Sequence, residues 1–322
     1  MEGPHVLLLD GSMGHELKER GVADFQAAMF ANARQSDLVT SIHEEYVRCG
    51  CNVLTTNTFV LTPSELARAG CASSEMRALL QAACECARRA ASRAAGSQSV
   101  LVAGCLPPLQ HCYLPELVGT EASMRAVYEE IAKELAPRVD LFLAETLCST
   151  TEASAVLQAT APLGKPCWVS FTLHDDLGGP PALRDGTGVA AAAATLGAAK
   201  SPPAALLYNC CAPQVVAAAL RATPSRSAGV QRLGGYANGF QTTTSEWLYA
   251  RGAAAQGCDP GRHRFACPTC SADYYDATDG TITPGAYAAY ATEWVGAGAT
   301  IVGGCCGVGP SHMRDVARAV CR

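Results

Sequence analysis

The sequence has no block rich in Lys and Arg, and with 24 Lys+Arg against 29 Asp+Glu its formal net charge is -5. A nucleic-acid partner is therefore disfavoured, and small molecules are the better expectation. No apolar run is long enough to cross a bilayer, and alanine-rich stretches such as Ala190–Ala194 sit inside amphipathic or glycine-broken segments. The start, Met1-Glu2-Gly3-Pro4-His5, lacks the basic segment, apolar stretch and cleavage site of a secretory leader. The expectation is a soluble cytoplasmic protein with no membrane partner. Neither Gly234-Gly235 nor the glycine-rich tail matches a dinucleotide or P-loop spacing. His43, His111, His174, His263 and His312 show no paired metal-ligand spacing and read as surface groups or satisfied core residues. There is no internal repeat and no Pro-, Gly- or Ser-rich linker, so residues 1–322 read as a single domain.

Cysteine, by contrast, is abundant, at 17 residues. In a short secreted chain that number would indicate a disulfide framework, but this chain is long and no leader is expected at its start, so its thiols are expected to be reduced. Cys49, Cys51, Cys71, Cys84 and Cys86 lie in helical or pre-strand contexts and read as small core residues. Two adjacent cysteines stand out in Gly303-Gly304-Cys305-Cys306-Gly307, directly after the apolar run Ala299–Val302. Adjacent cysteines rarely bridge each other, because the intervening peptide strains the disulfide, yet two neighbouring thiolates can reach one soft metal ion. Taken alone, the stretch is equally a pair of buried cysteines beside a glycine turn.

With 49% hydrophobic residues, the 322-residue chain can bury a large core. Eight short apolar runs recur along it: Val6–Leu9, Asn52–Leu54, Val100–Ala103, Leu141–Ala144, Trp168–Leu173, Ala205–Tyr208, Leu233–Ala237 and Ala299–Val302. Helical patterns separate most of them, including one from Asp37 to Arg48 with Ser36 as its cap, and one starting near Thr283-Pro284. The alternation predicts an α/β fold with a parallel sheet, specifically a TIM-type (β/α)8 barrel. The residues that terminate each run favour the barrel over an open doubly wound sheet. Asp10, Thr56, Cys105, Glu145, Thr172, Asn209 with Cys210, Asn238, and Cys305 with Cys306 all stand at a strand's carboxyl end or just beyond it. A closed barrel collects those ends on one face and sets the first strand beside the last, which an open sheet does not. The connection from Gly239 to Pro284 is longer than a crossover needs and is a candidate cover for the barrel mouth.

Among the remaining cysteines, Cys210 is the strongest third ligand to join Cys305 and Cys306, because the sixth strand should end at the same mouth as the eighth. Three thiolates around Zn2+ carry a net charge of about -1, which suits activation of a further thiol in an open fourth position. Free alkyl thiols, with pKa about 8.5, are mostly protonated at neutral pH, and metal binding stabilises the nucleophilic thiolate.

The ordered set Asp10-Gly11-Ser12-Met13-Gly14, Val53–Phe59, Ala144-Glu145-Thr146, Asn209-Cys210 and Gly303–Gly307 resembles the zinc-dependent homocysteine S-methyltransferases over nearly the whole chain. The resemblance implies a barrel in which Cys210, Cys305 and Cys306 bind zinc, homocysteine sulfur takes the fourth place, and its thiolate attacks an activated methyl group to give methionine. It also implies that Asp10 and Glu145 hold the homocysteine ammonium, that backbone N–H groups after Gly11, at Ser12 and beyond, receive the carboxylate, and that Thr56, Phe59 and Asn238 line the substrate pocket. Where betaine-using relatives carry tyrosine this chain has Val60 and Thr146, and it ends soon after the last helix, without their long C-terminal arm. A sulfonium donor is therefore expected, S-methylmethionine first and S-adenosylmethionine second. No folate or cobalamin module is apparent.

Two other readings stay open: methylation of another thiol or selenol, and a non-catalytic barrel with a structural zinc. Cys267-Pro268-Thr269-Cys270 offers a rival redox or metal spacing, but it follows no strand-to-helix turn of the thioredoxin kind. The expected assembly is a monomer or small homo-oligomer.

Overall fold

A computed structural model describes residues 6–23, 25–94, 99–175, 178–224, 230–240, 274–275 and 280–321. Eight parallel strands form one sheet: β1 (Leu7–Leu8), β2 (Val53–Thr55), β3 (Leu101–Leu106), β4 (Leu141–Leu147), β5 (Cys167–Phe171), β6 (Ala205–Asn209), β7 (Arg232–Tyr236) and β8 (Ile301–Val302). Each pairs with its sequence neighbour, and β1 pairs with β8 through Leu7 to Ile301 and Leu8 to Val302. A bridge from Leu9 to Val53, with Asp10 N donating to Val53 O at 3.0 Å, brings β1 to β2 and closes the ring. The fold is a (β/α)8 barrel, with every expected apolar run lying on a strand.

Helices surround the barrel: α1 (Met13–Glu19), α2 (Phe25–Arg34), α3 (Ser36–Arg48), α4 (Pro63–Arg68), α5 (Glu75–Ala94), α6 (Glu121–Leu135), α7 (Thr150–Thr160), α8 (Val189–Gly197), α9 (Pro213–Ala222), α10 (Pro284–Gly296) and α11 (Pro310–Val320). Their starts obey capping chemistry, in which an N-cap oxygen satisfies an otherwise orphaned amide. Thr62, Thr120, Ser149 and Thr283 each accept from the amide three residues on. Ser36 does not cap α3; it is the helix's first residue, and Gln35 precedes it without a side-chain cap.

Two apolar layers arise from the period-two alternation of a strand. Leu9, Val53, Ala103, Leu143, Trp168, Leu207, Tyr236 and Ile301 belong to the cluster that fills the barrel. Their sequence neighbours Leu8, Leu54, Val102, Phe142, Val169, Leu206 and Val302 pack outward against the helices. Along β4 the inward set runs Leu141, Leu143 and then Glu145, so the parity that fills the core also aims a carboxylate into the mouth. Cys49, Cys51, Cys84 and Cys86 are buried and Cys71 is partly exposed. No helix among the described residues is long and apolar enough to cross a membrane. Cys267, Cys270 and most of the Gly239–Pro284 connection lie outside the described residues.

Candidate metal and substrate site

At the carboxyl ends of the strands lies a cavity of about 750 Å3. Asp10, Gly11 and Ser12 from the end of β1, Thr56 and Phe59 after β2, and Glu145 on β4 line it. Cys210, Asn238, Cys305 and Cys306, from the ends of β6, β7 and β8, complete that wall. All ten residues expected at the site from sequence therefore meet in one cavity.

The three thiols converge most tightly. The sulfurs of Cys210, Cys305 and Cys306 all lie within 4.8 Å of one another. Cys305 Sγ is 3.0 Å and Cys306 Sγ 3.9 Å from Cys210 Sγ. A tetrahedral ion with metal–sulfur bonds of about 2.3 Å needs sulfurs about 3.8 Å apart, so the trio fits a soft metal with small side-chain adjustment. As free thiols they share charge unequally. Cys306 is held well below the usual thiol range by hydrogen bonds from Cys210 and Cys305, against the effect of burial. Cys305 is pushed up by its bonds to Cys210 and Cys306 and by burial. Cys210, although Cys305 donates to it, is pushed up by Cys306 and by burial.

Backbone geometry sets this convergence. Among the described non-glycine residues only Cys210 (φ 52°) and Thr146 (φ 61°) have positive φ, a conformation costing about 1–3 kcal/mol for residues with a Cβ. Asn209 clamps both. Its Oδ1 accepts from Thr146 N at 3.0 Å and Ser170 Oγ at 2.7 Å, and its Nδ2 donates to Thr146 Oγ1 at 2.8 Å. At β8, Gly304 N donates to Asp10 O, Cys305 N to Ala237 O and Val308 N to Cys305 O, each within 3.1 Å. A Cβ at Gly304 would collide with Val308, and one at Gly303 would press on Leu9, so both positions require glycine for close approach. Tyr287 Oη ties the ends of β7 and β8 together, its single O–H shared between Gly303 O at 2.8 Å and Ala237 O at 3.0 Å.

The acidic side is held by individual side-chain bonds. Asp10 is buried, and its Oδ2 accepts from Thr55 N at 2.9 Å. Glu145 accepts from Tyr236 Oη at 3.2 Å. Its pKa is raised from an ordinary 4.5 to about 7, chiefly by burial; bonds from Cys105 and Tyr236 oppose the shift, while negative charge on Cys210 and Asp10 adds to it. Asn238 Oδ1, buried beside them, has no hydrogen-bond partner among the described residues, which leaves an acceptor for a ligand.

Three positions have bonding that the sequence does not show. The Ser12 amide is taken by Val308 O at 2.9 Å and its hydroxyl caps α1, so a carboxylate in this turn is left with the amides that follow Ser12. Thr56 lines the cavity, but its hydroxyl accepts from Cys105 N at 3.0 Å and sits 3.0 Å from Thr58 Oγ1, which makes its bonding part of the fold. His43 is fully buried, its Nδ1 lies 3.7 Å from Asp10 Oδ2, and among the described residues neither ring nitrogen has a hydrogen-bond partner, so it does not read as a satisfied core residue there. No sequence pattern singles out Tyr113, in the irregular segment between β3 and α6, yet its Oη donates to Cys210 Sγ at 3.1 Å.

A family model described as homocysteine S-methyltransferase matches residues 7–320. The chain belongs to the homocysteine S-methyltransferase family. Family members with similar sequences include the homocysteine S-methyltransferase of Escherichia coli K12, 29% identical over 96% of this chain and 93% of the relative. Homocysteine S-methyltransferase YbgG of Bacillus subtilis is 21% identical over 97% of this chain and 93% of its own. The metallated form of the E. coli homocysteine methyltransferase MmuM superposes with a TM-score of 0.74 at 25% identity, covering 97% of this chain and 95% of that one.

Proposed function

We propose that this protein transfers a methyl group from a sulfonium donor, S-methylmethionine first and S-adenosylmethionine second, to the thiol of homocysteine, and that Cys210, Cys305 and Cys306 hold a zinc ion for that purpose. The observation that carries the reading is the pairing, in one cavity, of a three-thiol cluster with two carboxylates, Asp10 and Glu145. An amino-acid thiol needs a soft acid at its sulfur and anionic acceptors at its ammonium.

Zinc at the trio would stabilise the substrate sulfur as thiolate at neutral pH. The protein's own groups supply the remainder. Glu145 and Asp10 bind the ammonium, and Asn238 Oδ1 offers a further acceptor. Amides that follow Ser12 in that turn receive the carboxylate, and Phe59 packs against the substrate. The substrate sulfur then attacks the donor's methyl carbon in line; the new S–CH3 bond forms as the donor's C–S bond breaks, and the departing group is a neutral thioether. No protein general base is assigned, because with zinc held by the trio the thiol proton would pass to solvent as the sulfur joined the ion.

Val60 and Thr146 line the cavity at the places where betaine-using relatives carry tyrosine, and that departure is what favours a sulfonium donor. A cytoplasmic setting, which keeps the trio reduced, and one barrel domain over residues 1–322 belong to the same proposal. The test is methionine formation from homocysteine with S-methylmethionine, S-adenosylmethionine and betaine compared side by side. Turnover with S-methylmethionine above S-adenosylmethionine and far above betaine is expected; betaine as the best donor, or no transfer from any sulfonium, would refute it.

A further inference from the structure

Outside the ten expected residues, one side chain reaches the sulfur cluster with a polar atom whose position is itself supported. Tyr113 Oη lies 3.1 Å from Cys210 Sγ. The Arg184 guanidinium carbon sits 5.2 Å from the centre of the Tyr113 ring, within cation–π range. Arg184 is buried and paired with buried Asp175 at 3.3 Å. Asp175 Oδ1 in turn accepts from Ala212 N at 2.7 Å, at the start of α9 and two residues beyond Cys210. Thr172 Oγ1 donates to Cys210 O at 3.1 Å. The loop after β5 thus holds both the backbone of Cys210 and the ring whose hydroxyl touches its sulfur.

We propose that Tyr113 is a positioning residue of the metal centre: its hydroxyl donates to the Cys210 sulfur, fixes that side chain and weakens it as a ligand, with Arg184 and Asp175 holding the ring in place. The inference rests on the trio being a metal site. A thiolate that accepts a hydrogen bond gives less charge to its metal. The ion therefore keeps more acidity for a fourth sulfur. That matters here, because a fourth thiolate brings the centre's formal charge to about -2 in a cavity that already holds Asp10 and Glu145.

The test compares Co(II)-substituted wild-type protein and Tyr113→Phe in the absence of methyl donor. The variant keeps the ring and its contact with Arg184 and removes only the hydroxyl. The expected result is full Co(II) stoichiometry, a sulfur-to-metal charge-transfer band moved to longer wavelength, and homocysteine binding weakened roughly 2- to 10-fold, the range of one hydrogen bond. Arg184→Lys, which keeps a charge beside Asp175 but loses the flat face, should move the band the same way by less. An unmoved band with unchanged homocysteine affinity in Tyr113→Phe would overturn the inference, as would loss of Co(II) accompanied by loss of fold, since that marks a merely structural side chain. A wild-type protein that binds no Co(II) would refute the metal reading itself, and this inference with it.

Discussion

The sulfur side and the carboxylate side of the cavity are built differently. Cys210, Cys305 and Cys306 are aimed by main chain: a residue at φ 52°, glycines that admit no Cβ, and amides bonded across β7, β8 and β1. Asp10 and Glu145 are aimed through their own side-chain oxygens, Asp10 by a bond from Thr55 N and Glu145 by bonds from Tyr236 Oη and Cys105. A metal tolerates little error in ligand placement, whereas an ammonium can be met by acceptors that shift to suit it. Damage on the sulfur side should therefore abolish the site, and damage on the carboxylate side should retune it.

The largest effect is expected from Cys210→Ser, Cys305→Ser or Cys306→Ser. Each should lose stoichiometric metal, measured by elemental analysis, and lower kcat/KM by more than about 100-fold, the upper range for loss of a ligand's supporting partner. Full metal with full turnover in any one of them would remove that residue from the ligand set. Next comes Asn209→Ala, which cuts three hydrogen bonds, frees Thr146 from its left-handed conformation and loosens the strand end that leads into Cys210. Urea unfolding should show a loss of about 2–4 kcal/mol, with metal affinity falling in parallel. Unchanged metal affinity would mean that the backbone does not aim the trio.

On the other side, Glu145→Gln should raise KM for homocysteine roughly 10- to 100-fold, the scale of a charged hydrogen bond, and leave metal content untouched. The pH profile adds a sign. With the Glu145 pKa raised to about 7, the group is neutral below that pH and anionic above it, so homocysteine binding should strengthen as pH rises through about 7. Glu145→Gln should flatten that rise. The same shift acts on stability in the opposite sense: between 4.5 and about 7 the folded protein holds the proton more tightly than the unfolded chain, so this group's contribution falls as pH rises through that window. The smallest effect is expected from Tyr236→Phe, which removes one neutral donor to Glu145 and should raise KM about 2- to 10-fold. A change in metal content there would blur the distinction between the two sides.

The barrel was legible because parallel strands write themselves as apolar runs, and because the groups at the ends of those runs converge only if the sheet closes. The same parity placed Glu145 after Leu141 and Leu143, and strand order alone brought Cys210 to Cys305 and Cys306. The features that stayed hidden lack a period. Tyr113 lies in a segment with no strand or helix pattern to aim it, and its value depends on Arg184, 71 positions away. Asn209 could be placed at a strand end, but its clamp depends on a left-handed Thr146 that no residue-type rule anticipates. Ser12 shows the converse: a donor can be placed at the right turn and still be occupied, here by Val308 from the far end of the chain.

The central claim is a three-thiol metal centre with an open place for substrate sulfur. X-ray absorption at the zinc edge, before and after adding selenohomocysteine, tests it most directly. The account predicts a resting ion with three sulfur neighbours from the protein that gains one selenium neighbour on binding. An ion already held by four protein ligands, with no selenium neighbour appearing, would contradict it.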